Sequence, residues 1–206
     1  MKPTVRLHRS NYYPHQWDFL TSKKPINGLI AGYGAGKTYA FLHKTLYNHV
    51  TKTTNDGYSN GWIIYPTYDL AKELFVEPFQ KMLNKLGISN HFNYGNSRLS
   101  TACGIIKVYQ LQRPQRIIGA ELTYIGFDEF DISSYRYCEV AFNKALGRMR
   151  DCENPEIFIC TTPEGMKYTY TLMVEKADDN KFLVRGKTKD NVYLPKSYLK
   201  LLEENY

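Results

Sequence analysis

The chain has 206 residues, 43% of them hydrophobic and 23% charged, enough to bury one sizeable core or at most two small ones; disorder does not describe it as a whole. No apolar run approaches the roughly 18 residues of a membrane span, and Met1-Lys2-Pro3-Thr4 leads into no signal-peptide core, so a cytosolic protein without membrane contact is expected. The 27 Lys+Arg against 20 Asp+Glu leave a net charge of +7, which suits a polyanion such as nucleic acid without requiring one, because no basic run concentrates it.

In chain order, Asn27 to Ala31 is a short apolar run that ends in glycines and opens into a helical stretch from Lys37 to Val50. Gly61 to Tyr65 reads as a second strand, stopped by Pro66. From Asp69 to Leu86 the apolar residues Leu70, Leu74, Phe75, Phe79, Met82, Leu83 and Leu86 fall on one helical face, with Asp69 as the expected N-cap and Gly87 as the stop. Gly104 to Leu111 and Leu122 to Phe127 read as strands, and Ser134 to Met149 as a helix. Glu156 to Thr161 reads as a buried strand, Gly165 to Lys176 as a helix and Lys181 to Thr188 as a last strand. Thr51 to Asn60 is the most loop-like excursion, and Asp178-Asp179 reads as a turn. Strands separated by helices imply one α/β domain over residues 1–206, with a mostly parallel sheet covered by helices on both faces. Cys103, Cys138, Cys152 and Cys160 show neither C-x-x-C pairing nor zinc spacing, so they read as reduced structural thiols.

The segment Ala31-Gly32-Tyr33-Gly34-Ala35-Gly36-Lys37-Thr38 lies between a strand and a helix, the context of a phosphate-binding loop. Small residues let backbone N–H groups turn inward on phosphate oxygens, and the helix N-terminus adds its positive dipole end. Lys37 can reach the β- and γ-phosphates, and the Thr38 hydroxyl can coordinate magnesium. Ala31 stands where the strict pattern has its first glycine, which is tolerable if that position needs no positive φ.

Leu122 to Phe127 ends in Asp128-Glu129. Acids at the C-terminal end of a parallel strand lie near the phosphate loop. Asp128 is expected to hold magnesium and Glu129 to deprotonate the attacking water, with Asp131 as N-cap of the helix that follows. ATP with Mg2+ is the expected cofactor pair.

Together with Cys160-Thr161-Thr162-Pro163-Glu164-Gly165 and Asp190-Asn191-Val192-Tyr193-Leu194-Pro195-Lys196-Ser197-Tyr198, these motifs resemble the ATPase domain of the large terminase subunit of tailed bacteriophages. The loop and the acid pair are generic to motor ATPases; the Thr-Thr-Pro and Leu-Pro-x-x-Tyr segments discriminate. The resemblance implies a RecA-like P-loop NTPase fold and an ATP-driven motor that packages viral double-stranded DNA into a procapsid. It implies a homo-oligomeric ring, a portal protein and a small terminase subunit as partners, and a place in the host cytoplasm at the portal. Thr161, Thr162 and Pro163 become a coupling motif, and Gln16, within Pro14-His15-Gln16, a reader of the adenine edge flanked by Tyr13 and Trp17. Where many members carry an arginine in the phosphate loop, this chain has Tyr33. Arg116 is the first candidate to supply that charge, acting on a neighbouring subunit's ATP, and Arg148 and Arg150 follow. The family's C-terminal nuclease has no room before Tyr206, so an ATPase domain without DNA cleavage is expected.

A DEAD-box-like or RecA-like helicase core remains an alternative, though it would need a second RecA-like domain and a Ser-Ala-Thr-type motif. A DNA adaptor that binds ATP without hydrolysis is another, and Glu129 argues against it. Lys44, Lys81 and Lys85 are the lysines considered for DNA contact, each better read as solvated, so the resemblance and not these residues carries the DNA expectation.

Overall fold

In the computed structural model, residues 3–117, 121–150 and 152–205 are described. A single eight-stranded sheet runs in the order β3-β4-β5-β2-β6-β7-β1-β8. Its strands are β1 (Ile26–Ala31), β2 (Ser59–Tyr65), β3 (Asn90–Asn93), β4 (Arg98–Thr101), β5 (Gly104–Gln110), β6 (Tyr124–Phe127), β7 (Glu156–Thr161) and β8 (Lys181–Gly186). From β5 to β8 every pairing is parallel; only β3–β4 and β4–β5 are antiparallel. The expected mostly parallel sheet is therefore present. Its antiparallel edge comes from a hairpin that the sequence did not announce, because its strands NHFN and RLST carry one buried apolar residue each.

Helices cover both faces. On one side α1 (Pro14–Thr21), α2 (Lys37–Thr51), α3 (Tyr68–Ala71) and α4 (Glu77–Lys85) contribute to a core with Phe19, Phe41, Phe75, Phe79 and Tyr124. On the other, α5 (Tyr135–Leu146) and α6 (Tyr168–Tyr170) enclose Trp62, Phe127, Phe130, Phe142 and Tyr168. The inner strands are buried on both faces, which is why β1, β6 and β7 read as continuous apolar runs rather than as alternations.

Two caps differ from expectation. The cap of the helix over 68–85 lies two residues early, because the Thr67 side chain accepts from Leu70 N–H and Asp69 falls inside the first turn. A π turn, Lys72–Val76, joins α3 to α4. Pro78 has no N–H to offer the Leu74 carbonyl, and the widened turn just before it accommodates that loss. Gly87 does end the helix: its N–H donates to Asn84 O and that of Ile88 to Leu83 O. The cap of α5 is Ser134, which accepts from Tyr137 N–H; Asp131 is engaged elsewhere. Helices α1 and α7 (Lys196–Asn205) are further additions. None of the four cysteines is in a disulfide, and three of them are buried.

Two buried polar groups anchor the first face. Lys44, better read as solvated in the sequence, is buried instead. Its ammonium donates to the carbonyls of Phe19, Leu20 and Ser22 at the end of α1 and pairs with Glu156 Oε1 at 2.6 Å. His49, fully buried on α2, meets Thr101 Oγ1 at 2.7 Å and Tyr124 Oη at 3.0 Å. Burial pushes its imidazole down from 6.5 to about 4.

Between those two values the unfolded chain binds a proton that the native state refuses, so stability rises with pH across the window. Acidifying from about pH 6.5 to about pH 4 is expected to cost about 3 kcal/mol through this group. Urea unfolding of wild type and His49→Gln over that range measures it: the variant should lack that part of the slope, and identical slopes would remove His49 as the cause.

Candidate functional site

The phosphate loop leaves β1 at Ala31 and enters α2 at Lys37. Ala31 is the last strand residue and is not among the residues with positive φ, so its methyl group meets no conformational objection. Gly34 and Gly36 do adopt left-handed φ, 70° and 81°, which turns the loop backbone inward. At Gly32 the constraint is space, since a Cβ would lie 2.3 Å from Thr188 Oγ1.

Lys37 is buried, and its ammonium donates to Gly32 O at 3.2 Å. It also lies 5.9 Å from the ring centroid of half-exposed Tyr33. Tyr33 thus supplies a π face beside the lysine, not a second charge. Thr38 stands in the first turn of α2, half-buried.

Strand β6 carries the acids, and β7 lies between it and β1. Asp128 is fully buried; its Oδ2 accepts from Tyr65 O–H at 2.7 Å and its Oδ1 from Glu129 N–H at 3.0 Å. Burial first, with the charge of Glu129 adding, pushes its carboxyl up to about 7 against the opposing effect of Tyr65 and Lys37. Two donors do not fully compensate this carboxylate. Asp128 and Thr38 each offer a hard oxygen, the donor type that suits a magnesium ion which also takes phosphate oxygens.

Glu129 has φ 49° and ψ 41°. Its carboxyl is raised by burial, lowered by Lys37 and raised again by Glu164, so it sits in the field of both the phosphate loop and the Thr-Thr-Pro segment. Asp131, expected to cap a helix, points inward: Oδ1 accepts from Thr169 N–H at 3.2 Å and from Thr169 Oγ1 at 2.9 Å. Burial raises its carboxyl, while the Thr169 hydrogen bonds and Lys167 lower it.

Thr161 ends β7, where its hydroxyl oxygen accepts from Asp131 N–H at 3.1 Å and donates to Thr162 O at 3.2 Å. Thr162 Oγ1 is buried without a hydrogen-bond partner among the described residues. Pro163 follows, and Glu164 pairs with Lys167 at 2.6 Å.

The flanking segments hold the loop. Gln16 donates to Gly36 O at 3.0 Å and accepts from Tyr13 N–H at 2.9 Å. Three residues given no role by the sequence also act here. His15 Nε2 meets Ala35 O at 3.0 Å while its Nδ1 lies 3.7 Å from Asp190. Asn191 donates to Gly34 O at 2.6 Å and accepts from Tyr13 O–H at 2.7 Å. Tyr65 fixes Asp128. Their signal lay in the His15-Gln16 and Asp190-Asn191 pairs, but nothing local says that segments so far apart in the chain meet on one loop. Trp17 is turned away, against Tyr12 and Arg9.

The arginines are not brought together with the loop. Arg116 is exposed on the turn Pro114–Arg116 that follows β5, four strands from β1, which is roughly 19 Å at the usual strand spacing. Arg148 and Arg150 are at the opposite end of β6 from Asp128: Arg148 O accepts from Leu122 N–H, and Arg150 Nε lies 3.3 Å from Glu121. They face the edge of the sheet away from the phosphates. Lys81 and Lys85 are exposed on α4.

This sheet and its loop define a P-loop NTPase fold. The family model for the N-terminal part of the T4-like-virus-type terminase large subunit matches residues 29–206, and the chain belongs to that family. Among solved structures, the large terminase of a thermophilic bacteriophage in complex with ADP aligns with a TM-score of 0.78 at 16% identity, covering 95% of this chain and 50% of that one. The large terminase ATPase domain of Thermus phage P74-26 aligns at 0.68 and 16% identity, covering 96% and 97%. The N-terminal domain of the bacteriophage phi29 DNA packaging ATPase aligns at 0.60 and 14%, covering 84% and 95%. The chain thus spans about half the length of the ADP-bound thermophilic phage protein. Among curated proteins none matches.

Proposed function

We propose that residues 1–206 form one ATPase domain that binds ATP with Mg2+ and hydrolyses it to drive viral double-stranded DNA into a procapsid. What supports this reading is that Asp128 and Glu129 follow the C-terminal end of β6, two strands from β1 and the phosphate loop, with the charge of Lys37 lowering both carboxyls. The loop amides from Gly32 to Gly36 and the Lys37 ammonium hold the phosphates. Thr38 and Asp128 are the residues that hold magnesium, which when bound neutralises phosphate charge. Glu129 orients the attacking water and takes its proton; a carboxyl raised by burial is better suited to that step than an exposed one. Thr161, Thr162 and Pro163, at and just past the end of the strand between loop and acids, couple the state of the site to movement. Gln16 keeps one amide hydrogen and one carbonyl lone pair for an adenine edge. Phosphate release that needs both ATP and Mg2+, and stops with a chelator, is the expected result; no release with the protein folded would overturn the reading.

Motor action further implies a ring of subunits on a portal in the host cytoplasm, with a small terminase subunit as partner. DNA cleavage is not assigned to these residues. Arg116 acts in trans in this reading, because it is exposed and its strand is four positions from its own loop. Mixing Arg116→Ala with Glu129→Gln subunits, each inactive alone, is therefore expected to restore some turnover. Absence of complementation between two folded variants would remove the role.

A further inference from the structure

Glu129 is one of two non-glycine residues with positive φ among those described. The other, Ser97, lies in the turn between β3 and β4, where the reversal of the chain calls for it. Glu129 stands where β6 gives way to the 3-10 turn Phe130–Ile132, and a side chain larger than asparagine disfavours the left-handed region. Something outside the residue must hold it there.

The next two residues do so. Phe130 is buried, with its ring 4.6 Å from Phe127 and 5.9 Å from Tyr168. Asp131 engages its N–H, its carbonyl and the Oδ1 of its carboxylate. Its N–H donates to Thr161 Oγ1 at 3.1 Å, its carbonyl accepts from Lys167 Nζ at 2.6 Å, and its carboxylate takes both the N–H and the hydroxyl of Thr169. One buried aspartate thereby fastens the turn after β6 to the end of β7 and to the first turn of α6.

We propose that Asp131 is a positioning residue for hydrolysis: by tying this turn to Thr161 and Thr169 it holds Glu129 in the left-handed conformation that presents its carboxylate to the phosphate loop. The proposal rests on Glu129 as general base.

The test compares Asp131→Ala, Asp131→Asn and Thr169→Val with wild type in steady-state ATP turnover, alongside a crystal structure of Asp131→Ala. Misplacing the base is expected to lower kcat by about 10²-fold in Asp131→Ala, with KM for ATP within about two-fold of wild type. Asparagine still offers an oxygen to Thr169 and should restore most of kcat. In the alanine variant Glu129 should leave the left-handed region. Unchanged kcat, a matching rise in KM, no rescue by asparagine, or Glu129 at its wild-type φ would each overturn the inference. If Asp131→Ala does not fold, Thr169→Val carries the test, since it removes only the hydroxyl donor; a lower kcat at constant KM supports the proposal and an unchanged kcat overturns it. Wild type run in parallel keeps the two readings apart. A wild type that does not hydrolyse ATP removes the role of Glu129, whereas an active wild type with an equally active Asp131→Ala removes only that of Asp131.

Discussion

Glu129→Gln is expected to bind ATP as wild type does and to lose turnover by about 10²- to 10⁴-fold, the usual contribution of a positioned general base. Glutamine has nearly the same shape, so the turn held by Phe130 and Asp131 should persist. It cannot accept a proton from water. Lys37→Ala is expected to differ in kind. Lys37 is buried against the loop, its ammonium on Gly32 O, so its loss weakens nucleotide binding as well as turnover. Equilibrium titration with a fluorescent ATP analogue, set beside phosphate release, separates the two. Turnover surviving Glu129→Gln would exclude it as the base; unchanged affinity in Lys37→Ala would exclude the lysine as a phosphate ligand.

Lys44→Met is expected to cost about 3–5 kcal/mol of stability, the largest effect on folding anticipated for a single side chain here. The Lys44 ammonium has three hydrogens and spends them on Glu156 and on the carbonyls that end α1. Without it Glu156 is a buried carboxylate with, among the described residues, only Asn27 Nδ2 at 2.7 Å and Lys52 at 3.8 Å. Thermal unfolding should fall by roughly 10 °C for a domain of this size. Glu156→Gln added to Lys44→Met should recover part of the loss, because no uncompensated charge remains. A loss below about 1 kcal/mol would mean that the pair is solvated and the sheet edge open. The α1 segment carries His15 and Gln16 to the loop, so nucleotide affinity should fall with stability in this variant.

Much of the fold was legible because the parallel core announces itself. Strands β1, β6 and β7 are buried on both faces and read as apolar runs, and the loop needs glycine at the two positions where φ is positive. The edge was not legible. Strands β3 and β4 are polar and short, and α1 draws its fixation from Lys44 and from contacts with a loop far along the chain. Within the candidate site, Lys37, Asp128 and Glu129 come from contiguous motifs and could be named from the sequence. Asn191, His15 and Tyr65 act through contacts that only the folded sheet creates. Asp131 was misread because an aspartate before a helix usually caps it; here Ser134 takes the cap and Thr169, across the next strand, takes the aspartate. Lys44 was misread for a similar reason, since a lysine on an amphipathic helix is ordinarily solvated and only Glu156 on β7 makes its burial possible.

The central claim, a nucleotide site built for an ATP-driven DNA motor, is tested most directly by the rate of phosphate release from Mg2+ and ATP, measured with and without linear double-stranded DNA over a range of protein concentration. The account predicts a rate per subunit that rises with both, as subunits meet and Arg116 of one completes the site of the next. A rate per subunit flat in both variables would contradict it.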